Sequence, residues 1–213
     1  MSQENTAVKP VVLLAREHDI STFASTDPSR YVIQSVHYYA ARQCLEACNG
    51  AILIRVPVET SEDFPPLSGG HEPATDAIIP IAPFKKALAS IPKGGSVPII
   101  NHVALSNVNG SQVRLTTNDL DNESSIVAKR IEGNYPNTDQ VIPDKPATFE
   151  ISIASDVLQI IAAYFQKHGK GDLKGESTSI RFSFTDNLSP IRFEARVESG
   201  KLAQGVVMPC RMS

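Results

Sequence analysis

Cys44, Glu46 and Cys48 stand two residues apart, which puts all three on one face if the segment is a strand. Two thiols and a carboxylate on one face begin a soft-metal site. No histidine or further cysteine stands at ligand spacing, however, and small buried side chains account for the pattern better. The histidines at 18, 37, 71, 102 and 168 are scattered, with no His-x-x-x-His pair. A Ser-His-Asp triad assembles only in space and stays open. No Gly-x-Ser-x-Gly elbow supports one, and Gly94-Gly95 lacks the Lys-Ser/Thr of a phosphate loop. No enzyme is indicated, and a small hydrolase is the least favoured alternative. The lysines are more suggestive. Lys85, Lys86 and Lys93 form one group and Lys167, Lys170 and Lys174 another. They are either phosphate contacts or the solvated sides of two helices.

The elements that would position these residues follow from the apolar pattern. The chain has 213 residues, 41% of them apolar and 20% charged, an ordinary globular composition with length for one large or two small domains. The first ten residues are polar, with no signal-peptide pattern, and no apolar run is long enough for a membrane span. An odd count of three cysteines argues against a disulfide framework and for a reducing, cytoplasmic setting. The sequons at Asn109 and Asn122 then carry little weight. At a net charge of −3 the whole chain does not advertise nucleic-acid binding, so any basic surface must be local.

Residues 1–9 form a loose polar arm. Val11–Leu14 is a strand or a clipped helix. Tyr31–Tyr39 is rich in β-formers, and Gln43–Val58 is a hairpin around Asn49-Gly50. Residues 60–77, with three prolines and adjacent glycines, are a loop. A strand at 78–81 leads into a helix burying Phe84, Ala87, Leu88 and Ile91. Strands follow near 97–106, 111–117 and 124–131, the first two turning at Asn109-Gly110. Gly133–Pro146 is an extended, proline-rich connector. Phe149, Ile151 and Ile153 alternate as a strand, and Ser155 caps a helix burying Val157, Leu158, Ile161, Ala162 and Phe165. Strands near 178–185, 190–197 and 202–208 close the chain.

This plan repeats at about 70 residues. Ile79-Pro-Ile-Ala-Pro and Ile151-Ser-Ile-Ala-Ser both lead from strand to helix. Leu45–Asn49, Leu115–Asp119 and Phe182–Asp186 all end a strand in a turn. The expected architecture is α+β: three β-α-β-β-β modules, the first with a reduced helix, and all helices on one face of antiparallel sheets.

Four segments resemble the bacterial DNA polymerase III beta sliding clamp family. Phe23–Tyr31 is similar to the family's approach to the first strand of its middle domain. Ala47-Cys48-Asn49-Gly50-Ala51-Ile52-Leu53 stands where the family has Ala-Thr-Asp-Gly-His-Arg-Leu. Arg130-Ile-Glu-Gly-Asn-Tyr-Pro136 with Val141-Ile-Pro143 is similar to its Ile-Glu-Gly-x-aromatic-Pro connector. Val206-Val-Met-Pro-Cys-Arg-Met212 is similar to its terminal Val-Val-Met-Pro-Met-Arg-Leu. The run Pro98–Val103 also resembles part of the family's first domain. Ala51 and Ile52 depart from the His-Arg pattern, and the chain is shorter than the family's three domains of two modules each.

The resemblance implies a DNA-clamp fold, with residues 10–145 as a two-module domain similar to the middle domain and 146–213 as a closing half-domain with its tail. It implies a sliding-clamp-like tether that oligomerises around double-stranded DNA, without sequence preference and without a cofactor. Lys85, Lys86, Lys93, Lys167, Lys170 and Lys174 would face the phosphates. A groove lined by Cys48, Gly50, Leu53, Pro143, Val207, Met208, Pro209, Arg211 and Met212 would receive clamp-binding peptides of a polymerase or loader. The alternative is an adaptor or decoy of the same fold that binds partners without encircling DNA.

Overall fold

The computed structural model describes residues 9–62, 71–92, 98–171 and 176–210. The chain divides into two units, Met1–Ile142 and Pro143–Ser213.

The first unit is built on two antiparallel sheets. Strand β1 (Val11–Leu14) is followed by short 3-10 turns at Arg16–His18, Ser21–Phe23 and Pro28–Ile33, then β2 (Ser35–Tyr39), β3 (Cys44–Cys48), β4 (Leu53–Pro57), β5 (Glu59–Ser61) and β6 (Glu72–Pro73). Strand β7 (Ala77–Pro80) runs directly into helix α1 (Ile81–Ala89), and β8 (Val103–Asn109), β9 (Gln112–Asn118) and β10 (Glu123–Lys129) complete the unit. The expected strand over 31–39 is thus shortened to its second half. The Pro28–Ile33 turn begins at a proline, with Asp27 accepting from the Ser29 backbone in front of it. The strand expected from 97 begins only at Val103, after a 3-10 turn at Pro98–Asn101. The reduced helix of the first module is the set of 3-10 turns.

The two modules of this unit exchange strands. The first strand of the first module, β1, lies between its own module's β5 and the other module's β8, with Leu13 opposite Glu59 and Ala104. The first strand of the second module, β7, pairs with β2 of the first, His37 opposite Ile78. On its other side, Ile78 accepts a hydrogen bond from Ile131, just past the end of its own module. Each sheet therefore contains strands of both modules. The inward residues of the exchanged pairs, Val12, Leu14, Val36, Tyr38, Ile79, Val103 and Leu105, are all buried in one core. Helix α1 adds Phe84, Ala87 and Leu88, with Ile91 just beyond it, on the one face that the spacing predicts.

The second unit holds helix α2 (Ser155–His168) and one sheet, β11 (Arg181–Ser183), β12 (Ile191–Arg196) and β13 (Leu202–Val207). Its core is small: Ile161, Phe165, Ile191, Ala195 and Val207. Ser155 is the first helical residue, and Ala154 holds the cap position without a side-chain hydrogen bond. Leu158 and Ala162, expected to be buried, are exposed, as are Ile160 and Tyr164. The strand expected over Phe149–Ile153 is absent as such. Among the described residues its one ladder contact is a bridge between Ser152 and Cys210. The middle strand of each module carries Leu45–Cys48 in β3 and Leu115–Asn118 in β9, whereas Phe182 lies in β11, the first strand after a helix. The match of Phe182–Asp186 to the other two is local. Among the described residues no helix is long and apolar enough to cross a membrane.

Candidate functional site

Polar groups converge most densely on the outward face of β2, β3 and β4. The register places His37 opposite Glu46 and Glu46 opposite Arg55, so three titratable side chains form a cross-strand row. Glu46 is fully buried. Its Oε1 accepts from Arg55 Nε at 2.6 Å and from Thr138 Oγ1 at 2.7 Å, and its Oε2 lies 3.2 Å from His37 Nδ1. Arg55 also donates to Thr138 Oγ1 and to Asp139 Oδ1, each at 2.8 Å. Arg42 and Tyr39 donate to Asp139 Oδ2 at 3.2 and 3.3 Å. Burial works to raise the Glu46 carboxyl, and the hydrogen bonds from His37, Thr138 and Arg55 outweigh it and hold the group below the usual carboxylate range. The hydrogen bond from Arg55 lowers Asp139 as well.

This row is covered by the connector after β10. Ile131 is hydrogen-bonded to β7. Gly133 has φ +147°, and a Cβ there would lie 2.9 Å from Val32 Cγ2, so any other residue is strained. The Tyr135 ring stacks on His37 with centroids 4.5 Å apart, and its hydroxyl donates to Cys48 Sγ at 3.5 Å. Burial raises the Tyr135 phenol, and Cys48 raises it further. Cys44, Glu46 and Cys48 do share a strand face, but it is roofed by protein, and burial pushes the Cys44 thiol up to about 11. No group of three or more His, Cys, Asp or Glu among the described residues is placed to hold a metal ion. Sequence reasoning missed this cluster. The signal was present once the Asn49 hairpin is accepted, because its register pairs Glu46 with Arg55.

The expected phosphate-facing lysines are placed as follows. Lys85 and Lys86 are exposed on α1, away from Phe84, Ala87 and Leu88. Lys167 is exposed in the last turn of α2, where a cation complements the helix dipole, and Lys170 is exposed just beyond it. Lys93 and Lys174 lie outside the described residues.

The expected groove residues fall in both units. In the first, Cys48 is buried at the end of β3, Gly50 has φ +94° in the hairpin loop, and Leu53 opens β4 half-buried. In the second, Pro143 is exposed, Met208 is 62% exposed and Pro209 is half-buried. Val207 is a core side chain of this unit, 5% exposed, because the pleat of β13 turns it inward and its neighbours Val206 and Met208 outward. Val207 is therefore not an open wall. Arg211 and Met212 lie outside the described residues.

No family model matches the sequence, and no curated protein does. Solved structures do match. The beta subunit from DNA polymerase of Streptococcus pyogenes superposes with a TM-score of 0.66 at 15% identity, over 99% of this chain and 53% of that one. The DNA polymerase sliding clamp from Bacillus subtilis gives 0.64 at 14% identity, over 98% and 51%. The DNA polymerase sliding clamp from Caulobacter crescentus gives 0.60 at 18% identity, over 98% and 52%. The chain has the fold of bacterial sliding clamps and spans about half the length of each.

Proposed function

We propose that the chain is a sliding-clamp-like tether: a non-enzymatic protein that oligomerises around double-stranded DNA and docks partner peptides beside its C-terminal tail. The observation that carries this is the clamp likeness over at least 98% of the chain, helices and sheets together. A fold hosts many functions, so the site must add to it. It does so through Lys85 and Lys86, exposed together on α1 away from the core. Such cations add affinity for phosphates without reading sequence, which a sliding protein needs. For the peptide groove the reading relies on the second unit, where Met208 and Pro209 follow β13. An exposed methionine beside a proline makes an adaptable apolar contact.

The test is topological. Linear DNA is ligated into circles in the presence of the chain, and the product is washed at high salt. A ring survives salt that dissolves phosphate contacts and leaves when the circle is cut. Equal release from cut and uncut circles overturns the ring.

A second reading, an adaptor of the same fold that does not encircle DNA, draws on α2. Its face opposite Ile161 and Phe165 carries Asp156, Gln159, Ala163 and Lys167, a single cation and a carboxylate rather than a row of cations. In that case peptide docking persists without any retention on circles.

A further inference from the structure

In the first unit, the first strand of each module is held on both edges. One edge meets the chain just past its own module's last strand: β5 for β1, and Ile131 for β7. The other edge meets the strand that follows the helix slot of the other module: β8 for β1, and β2 for β7. The second unit repeats half of this. Ser152, three residues before α2 as Ile78 is three before α1, accepts a hydrogen bond at 2.7 Å from Cys210, just past β13. Its other edge meets no strand among the described residues, and neither does the edge of β11 away from β12. The chain thus carries an unpaired extended segment and an unpaired strand edge that, in its own first unit, belong together.

We propose that two copies of the chain exchange these segments, residues 151–153 of each pairing antiparallel with β11 of the other, so that two closing modules build one two-fold symmetric domain. The occupant is a second copy because one surface supplies both the strand and the edge that receives it, which is what a self-complementary interface requires. The register follows from the two exchanges already made. Ile78 faces His37 and Leu13 faces Ala104, and His37 and Ala104 occupy equivalent places, opposite Glu46 and Thr116 of the middle strands. The same place in the second unit is Arg181, opposite Glu194. Ser152 therefore lies opposite the partner copy's Arg181, Ile151 opposite Phe182, and Ile153 opposite Ile180.

Burial supports this register independently. The four apolar residues it brings together already point toward the core of the second unit, yet are only partly buried. Their counterparts in the first unit, Ala77, Ile79, Val36 and Tyr38, are buried to 3% exposure or less. Helix α1 packs against β2 of the other module as well as its own strands. On helix α2, Ile160 and Tyr164 remain 69% and 50% exposed.

This inference specifies the oligomer contact that the proposed tether needs, but rests on strand pairing within the chain rather than on DNA. Light scattering on the full chain at micromolar concentration is expected to give twice the 23.0 kDa mass. Ser152→Cys with Arg181→Cys, in a Cys210→Ser background, is expected to yield a covalent dimer on mild oxidation, since directly opposed residues of a non-hydrogen-bonded pair come within disulfide reach. Ile151→Pro, which removes an N–H aimed at the open edge, is expected to shift the chain to monomer with its helical signal retained. A monomeric wild type overturns the exchange, and so does a dimer that fails to cross-link at this pair. A cross-linked dimer that is never trapped on circles leaves the exchange standing and removes the tether. A monomer that is trapped does the reverse.

Discussion

Arg55→Met tests whether the roof over β3 is held by charge. Glu46 is fully buried, and its Oε1 takes Arg55 at 2.6 Å and Thr138 at 2.7 Å. Methionine keeps the aliphatic length and removes the guanidinium, which leaves a buried carboxylate with Thr138 and His37 alone. Truncating one partner of a buried ion pair costs about 3–5 kcal/mol. The Arg55 side chain keeps 23% exposure, so the lower end applies, about 3 kcal/mol. At a urea slope of about 1–3 kcal/mol/M the midpoint falls by roughly 1–3 M, read by circular dichroism because the chain has no tryptophan. Adding Glu46→Met is expected to restore part of the loss, because replacing both charges by apolar side chains removes the stranded carboxylate. The pH dependence has a definite sign. The folded-state Glu46 lies below its ordinary value, so the unfolded chain binds more protons in that window and stability rises with pH. The contribution is present above the unfolded value, about 4.3, and is lost as pH falls through the folded one. The gap between wild type and Arg55→Met should therefore narrow in acid. A loss below about 1 kcal/mol at neutral pH, the worth of an exposed pair, or a gap that does not change with pH, would refute the account.

Other expectations concern the connector, the thiols, the helix and the tail. Gly133→Ala, at φ +147° and 2.9 Å from Val32, should destabilise by about 1–3 kcal/mol in urea titration, while Gly110→Ala, with open space around it, should be near neutral. In the native protein a thiol reagent should label exposed Cys210 quickly and spare buried Cys44 and Cys48 until denaturant is added. Lys86→Glu should weaken binding to short duplexes uniformly across sequences and reduce the salt slope by about one for each phosphate no longer neutralised. Deleting Met208–Ser213 should abolish binding of a clamp-binding peptide in a polarization assay, and unchanged binding would remove the tail from the groove.

Legibility in the sequence followed the range of the interaction. The Asn49-Gly50 hairpin and the buried face of α1 rest on neighbours within a few residues, so local pattern located both. Glu46 is a charged residue in an apolar strand, and its burial depends on Thr138 and Asp139, more than 90 residues away, which no local pattern contains. The helix slot of the first module broke into 3-10 turns around Pro28, a reduction the sequence allowed without showing its form. The spacing of α2 predicts a buried Leu158 and Ala162, and the expectation fails because no described residue covers either side chain.

The alternation Phe149–Ile151–Ile153 shows the same limit from the other side. It expresses a preference for extended backbone with one face inward, and Ile151 and Ile153 do pack on the second unit's core. A strand also needs an edge to pair with, and the described residues offer Ser152 only Cys210. In the first unit each module completes the other, and an uninterrupted core results. Among the described residues the closing module has no such complement. Exchange between two copies turns two odd sets into an even one. On this view the mismatch between the predicted strand and the isolated bridge is the mark of an interface, because the pattern asks for a pairing that the described residues do not contain.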